Sequence, residues 1–583
     1  MSIRNIMEQR LSPSDRTLLK AVYSPQITAV PPADAHRDLC LLPSGEIRHY
    51  GRKEVDGIVR RVYLCSSDCG LSWKTVLVEQ DNQLGAMVKS PWSDQFITLL
   101  RSQNYNLLSD PVLAGKEYDG VYCITSFQGP GGTDARRIKL EVPELLDIRQ
   151  PVPLRTRKRW LCTAQTWKDG ALTPVVLRSD DDAETWDFTI LASVPPFTIR
   201  YPHQGMRWQQ YSCEPTLEEL SDGRILMISR TSQDYHYQYL SEDGGETWSK
   251  PVPSVFHATT TMPTLLRLSD GRLLHFWCNT QPLPELDHSL QPELSEDERN
   301  GVWEDVFTNR DACHAAVSTD DGKTWRGFRE LHLNEVRNAA DFRSGGHCIS
   351  DKSVHQFQAL ELPFGKVLLS FGQNKACRKI ILFDPDWLLE TSRGEDFRGG
   401  LEHLSTQVFV KSLSGGCRGF AGHCAWNRTN GALLVPTPDP EHREVLQLAR
   451  IHDERLFREE QGAVWNFPAA DRGEVEVVLQ IPGVGIELSL CDHWFHPVDT
   501  TTREFAQYTV SLPSLPQTGW HTLILRWDTA EKSAKVLLNG HLLDTIPLQQ
   551  PAPVGISYLH LQTLAREPDF RGTLIKSLRM NAR

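Results

Sequence analysis

Ser241-Glu-Asp-Gly-Gly-Glu-Thr-Trp248 is one of four near-copies of a single octapeptide, the others being Ser66–Trp73, Ser179–Trp186 and Ser318–Trp325. Each copy places Ser first, Asp third and Trp last. Asp bonds its own backbone in a tight turn and Gly accepts positive φ without strain, so the pattern spells one turn used four times. A turn repeated on this scale means a repeated supersecondary unit.

A second signature interleaves with the first. Leu42-Pro-Ser-Gly45-Glu-Ile47, Leu220-Ser-Asp-Gly223-Arg-Ile225, Leu268-Ser-Asp-Gly271-Arg-Leu273 and Leu362-Pro-Phe-Gly365-Lys-Val367 each sit between apolar runs, which is hairpin punctuation. In the clearest unit, one strand runs from Pro215 to Leu220, turns at Asp222-Gly223 and returns as Ile225 to Arg230. A second strand pair follows, turned at the octapeptide. Four strands with two turns make one blade of a β-propeller. The interval from Trp73 to Trp186 is about twice one repeat, so the unit near 85–150 lacks the octapeptide. The other units fall near 35–80, 155–195, 210–255, 260–330 and 350–440. Six blades result, with a seventh conceivable in the region 395–440. The fifth carries an insertion from Thr280 to Asn309 that reads equally as a lid or as a solvated loop.

Past the repeats the pattern changes. Trp520-His-Thr-Leu-Ile-Leu-Arg-Trp527 alternates, and Lys535-Val-Leu-Leu-Asn-Gly540-His-Leu-Leu543 carries the strongest short hairpin signal. The expected fold is all-β: a six-bladed β-propeller over 1–450 followed by a β-sandwich over 451–583.

Composition narrows the function. A net charge of −12 argues against nucleic-acid binding, and any anionic ligand would need a local basic pocket. No apolar run approaches the ~18–20 residues that span a bilayer, so no membrane partner is expected. The amino-terminal stretch lacks the apolar core of a secretory signal. Thirteen scattered cysteines, an odd number, read as free thiols in a reducing compartment, and a cytoplasmic location is expected. No metal-ligand cluster or cofactor motif is read.

Chain geometry picks out one face. Antiparallel order puts the Gly turns and the octapeptide turns on one side of each unit, and the first-strand starts and second-strand ends on the other. Counting back from the turns brings Arg37, Glu214, Arg230, Arg310 and His355 to that second mouth, with Arg52, Glu54 and Asp56 in an exit loop of the first unit. Folding the hairpin about Asp222-Gly223 sets Glu214 opposite Arg230 or Thr231. Singly, these residues are as readily cross-strand pairs, rim residues or a structural histidine; their convergence is what suggests a site.

The octapeptides resemble the Asp-box, or BNR, repeat of the sialidase (neuraminidase) superfamily, whose members are six-bladed propellers. Cys213-Glu214-Pro-Thr and the run to Arg230 are similar to the stretch that carries that family's glutamate and an arginine. Arg310-Asp-Ala-Cys-His-Ala-Ala-Val-Ser318 is similar to its third arginine, and Arg37-Asp38-Leu39 to the first. The resemblance implies that Arg37, Arg230 and Arg310 grip a substrate carboxylate, that Glu214 activates a tyrosine nucleophile, and that an early aspartate is the acid/base, for which Asp56 or Glu54 is the candidate here. Bidentate contact explains the use of arginine. The tyrosine is missing: its position reads Val354-His355-Gln356-Phe357, leaving Tyr211, His355 or a carboxylate to activate the attacking group. The carboxy-terminal part resembles the laminin-G/concanavalin-like modules that accompany such propellers. It is expected to pack on the propeller or to support homo-oligomerisation rather than to bind sugar.

The leading expectation is a sialidase-like exo-glycoside hydrolase acting on a terminal acidic sugar of an oligosaccharide or glycoside. Two others stand beside it. One is a polysaccharide lyase in which His355, His203 or Tyr211 abstracts a proton beside a uronate carboxyl; the other is a non-catalytic glycan-binding propeller.

Overall fold

Strands make up 49% of the described residues and helices 6%, so the described structure is all-β. The structure is a computed structural model. It describes residues 3–32, 37–78, 85–101, 120–203, 212–282, 309–337, 353–373, 375–410, 427–429, 431–437, 443–451, 461–515 and 519–583. Most of the expected 280–309 insertion lies outside them.

Six four-stranded antiparallel sheets come first in the chain. Sheet one holds Leu39–Leu41, Ile47–Val55, Ile58–Ser66 and Lys74–Leu77, and sheet two Val88–Lys89, Phe96–Arg101, Val121–Ser126 and Arg136–Lys139. Sheet three holds Val152–Pro153, Trp160–Lys168, Ala171–Ser179 and Asp187–Ile190. Sheet four holds Cys213–Glu219, Ile225–Arg230, Tyr235–Ser241 and Val252–His257. Sheet five runs from Thr264–Arg267 and Leu273–Trp277 to Ala312–Ser318 and Arg326–Leu333. Sheet six takes Gln358–Glu361, Val367–Phe371 and Lys379–Phe383, and its fourth strand is the amino-terminal Gln26–Ala29. The expected extent of the last unit, 350–440, is therefore corrected: three of its strands end by Phe383 and the fourth comes from the other end of the chain.

The octapeptides fold alike because one carboxylate satisfies each turn. Each Ser hydroxyl donates to the third-position Asp, at 2.7 Å for Ser66–Asp68 and 2.9 Å for Ser241–Asp243. The N–H groups of Gly70, Ala183, Gly245 and Gly322 donate to the same hydroxyls at 2.7 to 2.9 Å. Trp73, Trp248 and Trp325 close back with indole N–H bonds to Gly carbonyls. Sheet two, where no octapeptide is legible, builds a variant: Ser126 donates to Asp134 at 2.5 Å and accepts from Gly129 N–H. Burial alone would raise the Asp243 carboxyl, but hydrogen bonds from Thr247, Ser241 and the Glu246 N–H outweigh it and hold it at about 2.

Each sheet touches the next. Cys40 Sγ reaches Met87 O between sheets one and two, and Asp182 accepts from Ser90 and Trp160 between two and three. Thr163 donates to Pro215 O, Leu265 N–H to Thr216 Oγ1, and Thr264 to Phe357 O. The Leu39 N–H donates to Gln358 Oε1 at 2.8 Å, so sheet six neighbours sheet one. Met7 of helix Ile3–Arg10, Leu19 of helix Pro13–Ala21 and Leu11 between the two helices are buried in a cluster with Cys69, Leu362 and Leu382. Gly turn and octapeptide turn thus share one side, as antiparallel order requires.

The remaining described strands form an eight-stranded and a five-stranded sheet around a common apolar core that includes Trp465, Phe467 and Trp527, and a separate two-stranded ribbon pairs Val408–Val410 with Asn427–Thr429. Ser392–Glu395 pairs with Asp569–Ala582, Leu404–Ser405 with Gly462–Ala470, and Glu444–Arg450 with Asp569–Ala582. Sheet pairing divides the chain near 391, where the sequence reading put 450. The expected Asn539-Gly540 turn is present, with both residues at positive φ. This unit packs on sheet five: Asn466 donates to Phe328 O, Tyr558 donates to Glu330, and Val554 lies against the cluster of Trp277 and Phe328.

Two outcomes follow. Asp243→Ala should cost about 1–3 kcal/mol in urea unfolding at pH 7. A depressed carboxyl stabilises the fold above its unfolded value of 3.8 and loses that effect as pH falls through about 2, so the deficit should shrink across that window. Deleting residues up to 30 uncovers the apolar edge Lys379–Phe383 and should shift the protein to aggregates in gel filtration.

Candidate active site

Four segments carry the chain into the first strands of sheets three to six, and each holds a non-glycine residue in the left-handed region. They are Asp147 (φ 45°), Glu214 (43°), Thr260 (54°) and Gln356 (70°). Such residues cost roughly 1–3 kcal/mol each and persist only where the surroundings fix them. Here the surroundings are one another.

Arg230 Nη1 donates to Glu214 Oε2 at 2.5 Å, with both side chains largely buried (7% and 13% exposed). The register differs slightly from expectation. Cys213, not Glu214, pairs with Arg230, and a bulge before Thr216 turns Glu214 inward. Its N–H is held by Gln165 Oε1 at 2.6 Å. Asp147 faces Arg149 at 3.0 Å and also lies in the field of Arg230. Arg37 Nη1 donates to Ile148 O at 2.7 Å, and Gln150 Nε2 donates to the carbonyls of Arg37 and Leu39. Burial pushes the Cys213 thiol up to about 12, against the pull of Arg230, with Glu214, Asp147 and Arg149 also close enough to act on it.

The chain of contacts continues round. Thr260 N–H donates to Thr231 O, and the Arg310 guanidinium donates to Thr260 O. Arg310 is 2% exposed, and its own carbonyl accepts from Val354 N–H. Two residues past Gln356, Gln358 returns to Leu39 and to Gln150 Oε1 at 2.7 Å. Arg37, Arg230 and Arg310 are thereby linked in one circuit with Arg149, Asp147 and Glu214. Arg230 faces Glu214 and Arg149 faces Asp147, whereas the Arg37 and Arg310 guanidiniums donate to the backbone carbonyls of Ile148 and Thr260.

The other expected residues are placed differently. His355 is buried at 1% exposure beside Val354, and its carbonyl accepts from Gly372 N–H. Asp56 is exposed, at φ 53°, in the two-residue turn between Ile47–Val55 and Ile58–Ser66; Glu54 is exposed just before it. Among the described residues no hydrogen bond or ion pair ties Asp56 to the cluster. His203 is buried and donates its N–H to Arg200 O. Tyr211 lies outside the described residues.

Asp147 and Arg149 escaped the sequence reading because sheet three lacks the Asp-Gly turn from which positions were counted. The signal was Leu154: its N–H donates to Arg159 O, just as Leu42, Leu220, Leu268 and Leu362 donate across their turns. Counting back from Leu154 reaches Asp147 and Ile148.

Residues 138–333 match the family model described as a BNR repeat-like domain. Among solved structures, Trypanosoma rangeli sialidase in complex with sialic acid is 12% identical over 97% of this chain and 94% of that one, with a TM-score of 0.36. A protein of unknown function from Dyadobacter fermentans is 14% identical over 62% and 97%, with a TM-score of 0.37. NanB with Optactamide is 14% identical over 62% and 69%, at 0.38. Likenesses at these scores decide nothing about chemistry. No curated protein matches the chain.

Arg230→Met strands the Glu214 carboxylate and should destabilise the fold by about 3–5 kcal/mol in urea titrations. Adding Glu214→Leu should recover much of that loss. A double variant as unstable as the single one would show that Glu214 is not the group Arg230 neutralises.

Proposed function

We propose that the six sheets close as a six-bladed β-propeller, that residues from about 391 form a laminin-G/concanavalin-like β-sandwich, and that the protein is a sialidase-like exo-glycoside hydrolase. Its substrate is an oligosaccharide or glycoside ending in an acidic sugar. The neighbour contacts that run from sheet one to sheet six and back support the closed ring. The observation that carries the chemistry is the buried Glu214–Arg230 pair, with Arg149 paired to Asp147 and with Arg37 and Arg310 bonded to the backbone of neighbouring crossing segments.

Guanidinium groups offer forked donors that match a carboxylate, and burial strengthens that match. The sugar carboxylate therefore sits among the arginines, with its anomeric carbon toward Glu214. Because no tyrosine stands at Val354–Phe357, Glu214 acts on water directly and Asp56, at its hairpin tip, protonates the leaving oxygen. His355 is a packing residue of the Arg310 segment, not a base. The described cysteines are all free thiols, which suits a cytoplasmic setting. The missing tyrosine favours one second reading, a glycan-binding propeller without turnover.

The test is a panel of fluorogenic glycosides of acidic sugars. Wild-type protein should turn over at least one of them. Arg230→Lys, which keeps the charge and loses the fork, should lower kcat/KM by about 100-fold, near 3 kcal/mol. Arg149→Ala should raise KM more than it lowers kcat. Saturable binding with no turnover would favour the binding module, and an unsaturated, ultraviolet-absorbing product would mark a lyase.

A further inference from the structure

A cavity of about 620 Å³ lies where the outer edges of sheets five and six meet the carboxy-terminal unit. Sheet five gives it Glu330 and His332 from the strand Arg326–Leu333, and Arg337 just beyond. Sheet six gives it Ile27 from the amino-terminal strand, and Arg393 of Ser392–Glu395 closes it from the other unit. Both contributing sheet strands are fourth strands. The candidate active site uses segments that enter first strands, so the two sites occupy different parts of each sheet.

Two guanidiniums line this space, and neither bonds a carboxylate. Arg337, 4% exposed, donates to the carbonyls of Asn334, Leu401 and Leu404. Arg393 Nη1 donates to Asn466 O at 2.6 Å, and among the described residues its Nε and Nη2 meet no acceptor. Carbonyls satisfy hydrogen bonds but leave the charge uncompensated, which is costly under burial. Of the lining carboxyls, Glu335 and Glu402 are exposed at the rim and Glu330 is buried. Glu330 Oε1 accepts from the Tyr558 hydroxyl at 2.8 Å, and among the described residues no ion pair joins Glu330 to either guanidinium.

The surroundings sharpen the imbalance. A third guanidinium, Arg329, lies 3.3 Å over the ring of Trp387, which walls the cavity. Burial first, and then the charge of Arg393, pull Arg329 down to about 10, although Glu390 bonds it. Like charges gathered in one buried region favour an anion beside them. His332 adds a buried Nε2 that has no partner, and burial holds it at about 4, so its neutral ring brings one N–H. Ile27, Leu333, Ile381 and Trp387 supply apolar wall. A few convergent polar groups set in apolar wall, at this volume, are what a small-molecule site requires.

We propose that this cavity binds a small organic anion of monosaccharide size, its carboxylate or phosphate oxygens held on the free edge of Arg393. That edge, Nε with Nη2, is the forked pair of donors that matches two oxygens of one such group. Hydroxyls of the ligand face Glu330 Oε2 and His332. Because the lining comes from both units and from the amino-terminal strand, occupancy stabilises their association in the folded chain.

The experiment titrates the full chain, dialysed into chloride buffer, with sodium glucuronate, glycerol phosphate and inorganic phosphate in a calorimeter. At least one should bind saturably and raise Tm, and the order of affinities tells a carboxylate site from a phosphate site. Arg393→Met keeps an apolar stem near Trp465 and should weaken that binding by about 10-fold or more. In chloride alone this variant should match or exceed the wild-type Tm, because it removes an unpaired charge; an arginine that only braces the fold would lower Tm on removal. Glucuronate held at the mouth instead would be lost in Arg230→Lys and kept in Arg393→Met. Saturable binding of none of the three anions, or binding undiminished in folded Arg393→Met, overturns the proposal in favour of a water-filled crevice.

Discussion

The hydrogen bonding of Gln26–Ala29 to Lys379–Phe383 is the constraint on which the repeat region depends. Sheet six has three strands of its own, and without a fourth it would present an open edge. Pairing the two ends of the region also sets Leu39 beside Gln358 and so places Arg37 next to the segment that follows Arg310. Contacts between neighbouring sheets return from sheet six to sheet one at this junction.

The two sides of the sheets carry opposite electrostatic tasks. On one, carboxylates such as Asp68, Asp181, Asp243 and Asp320 are consumed by the turns they build. On the other, guanidiniums collect around left-handed residues that no local sequence rule would favour. The stable turns let the crossing segments at the opposite ends of the strands hold unfavourable backbone geometry, because each strand is already fixed at its far end.

What the sequence made legible was local. The octapeptides and Gly turns reveal the repeat, and Asn539-Gly540 reveals a hairpin, because those signals need only a few adjacent residues. Sheet membership was harder to read. The strands between 392 and 450 look like more repeat until they pair with Asp569–Ala582 and Gly462–Ala470, partners more than a hundred residues away in several cases. Glu214, Arg230 and Arg310 can be placed on their strands by counting because their turns contain Gly or an octapeptide; Asp147 and Arg149 cannot, since Arg155-Thr-Arg-Lys158 replaces the glycine turn.

The junction between Gln26–Ala29 and the sixth sheet also has a temporal side. A ribosome must emit the chain past Phe383 before the first strand has anything to pair with, so early-made repeats wait with one flank uncovered. Contacts of such long separation form late, because the entropy of joining the ends precedes any reward. Pairing at this seam therefore cannot precede synthesis of the sixth sheet.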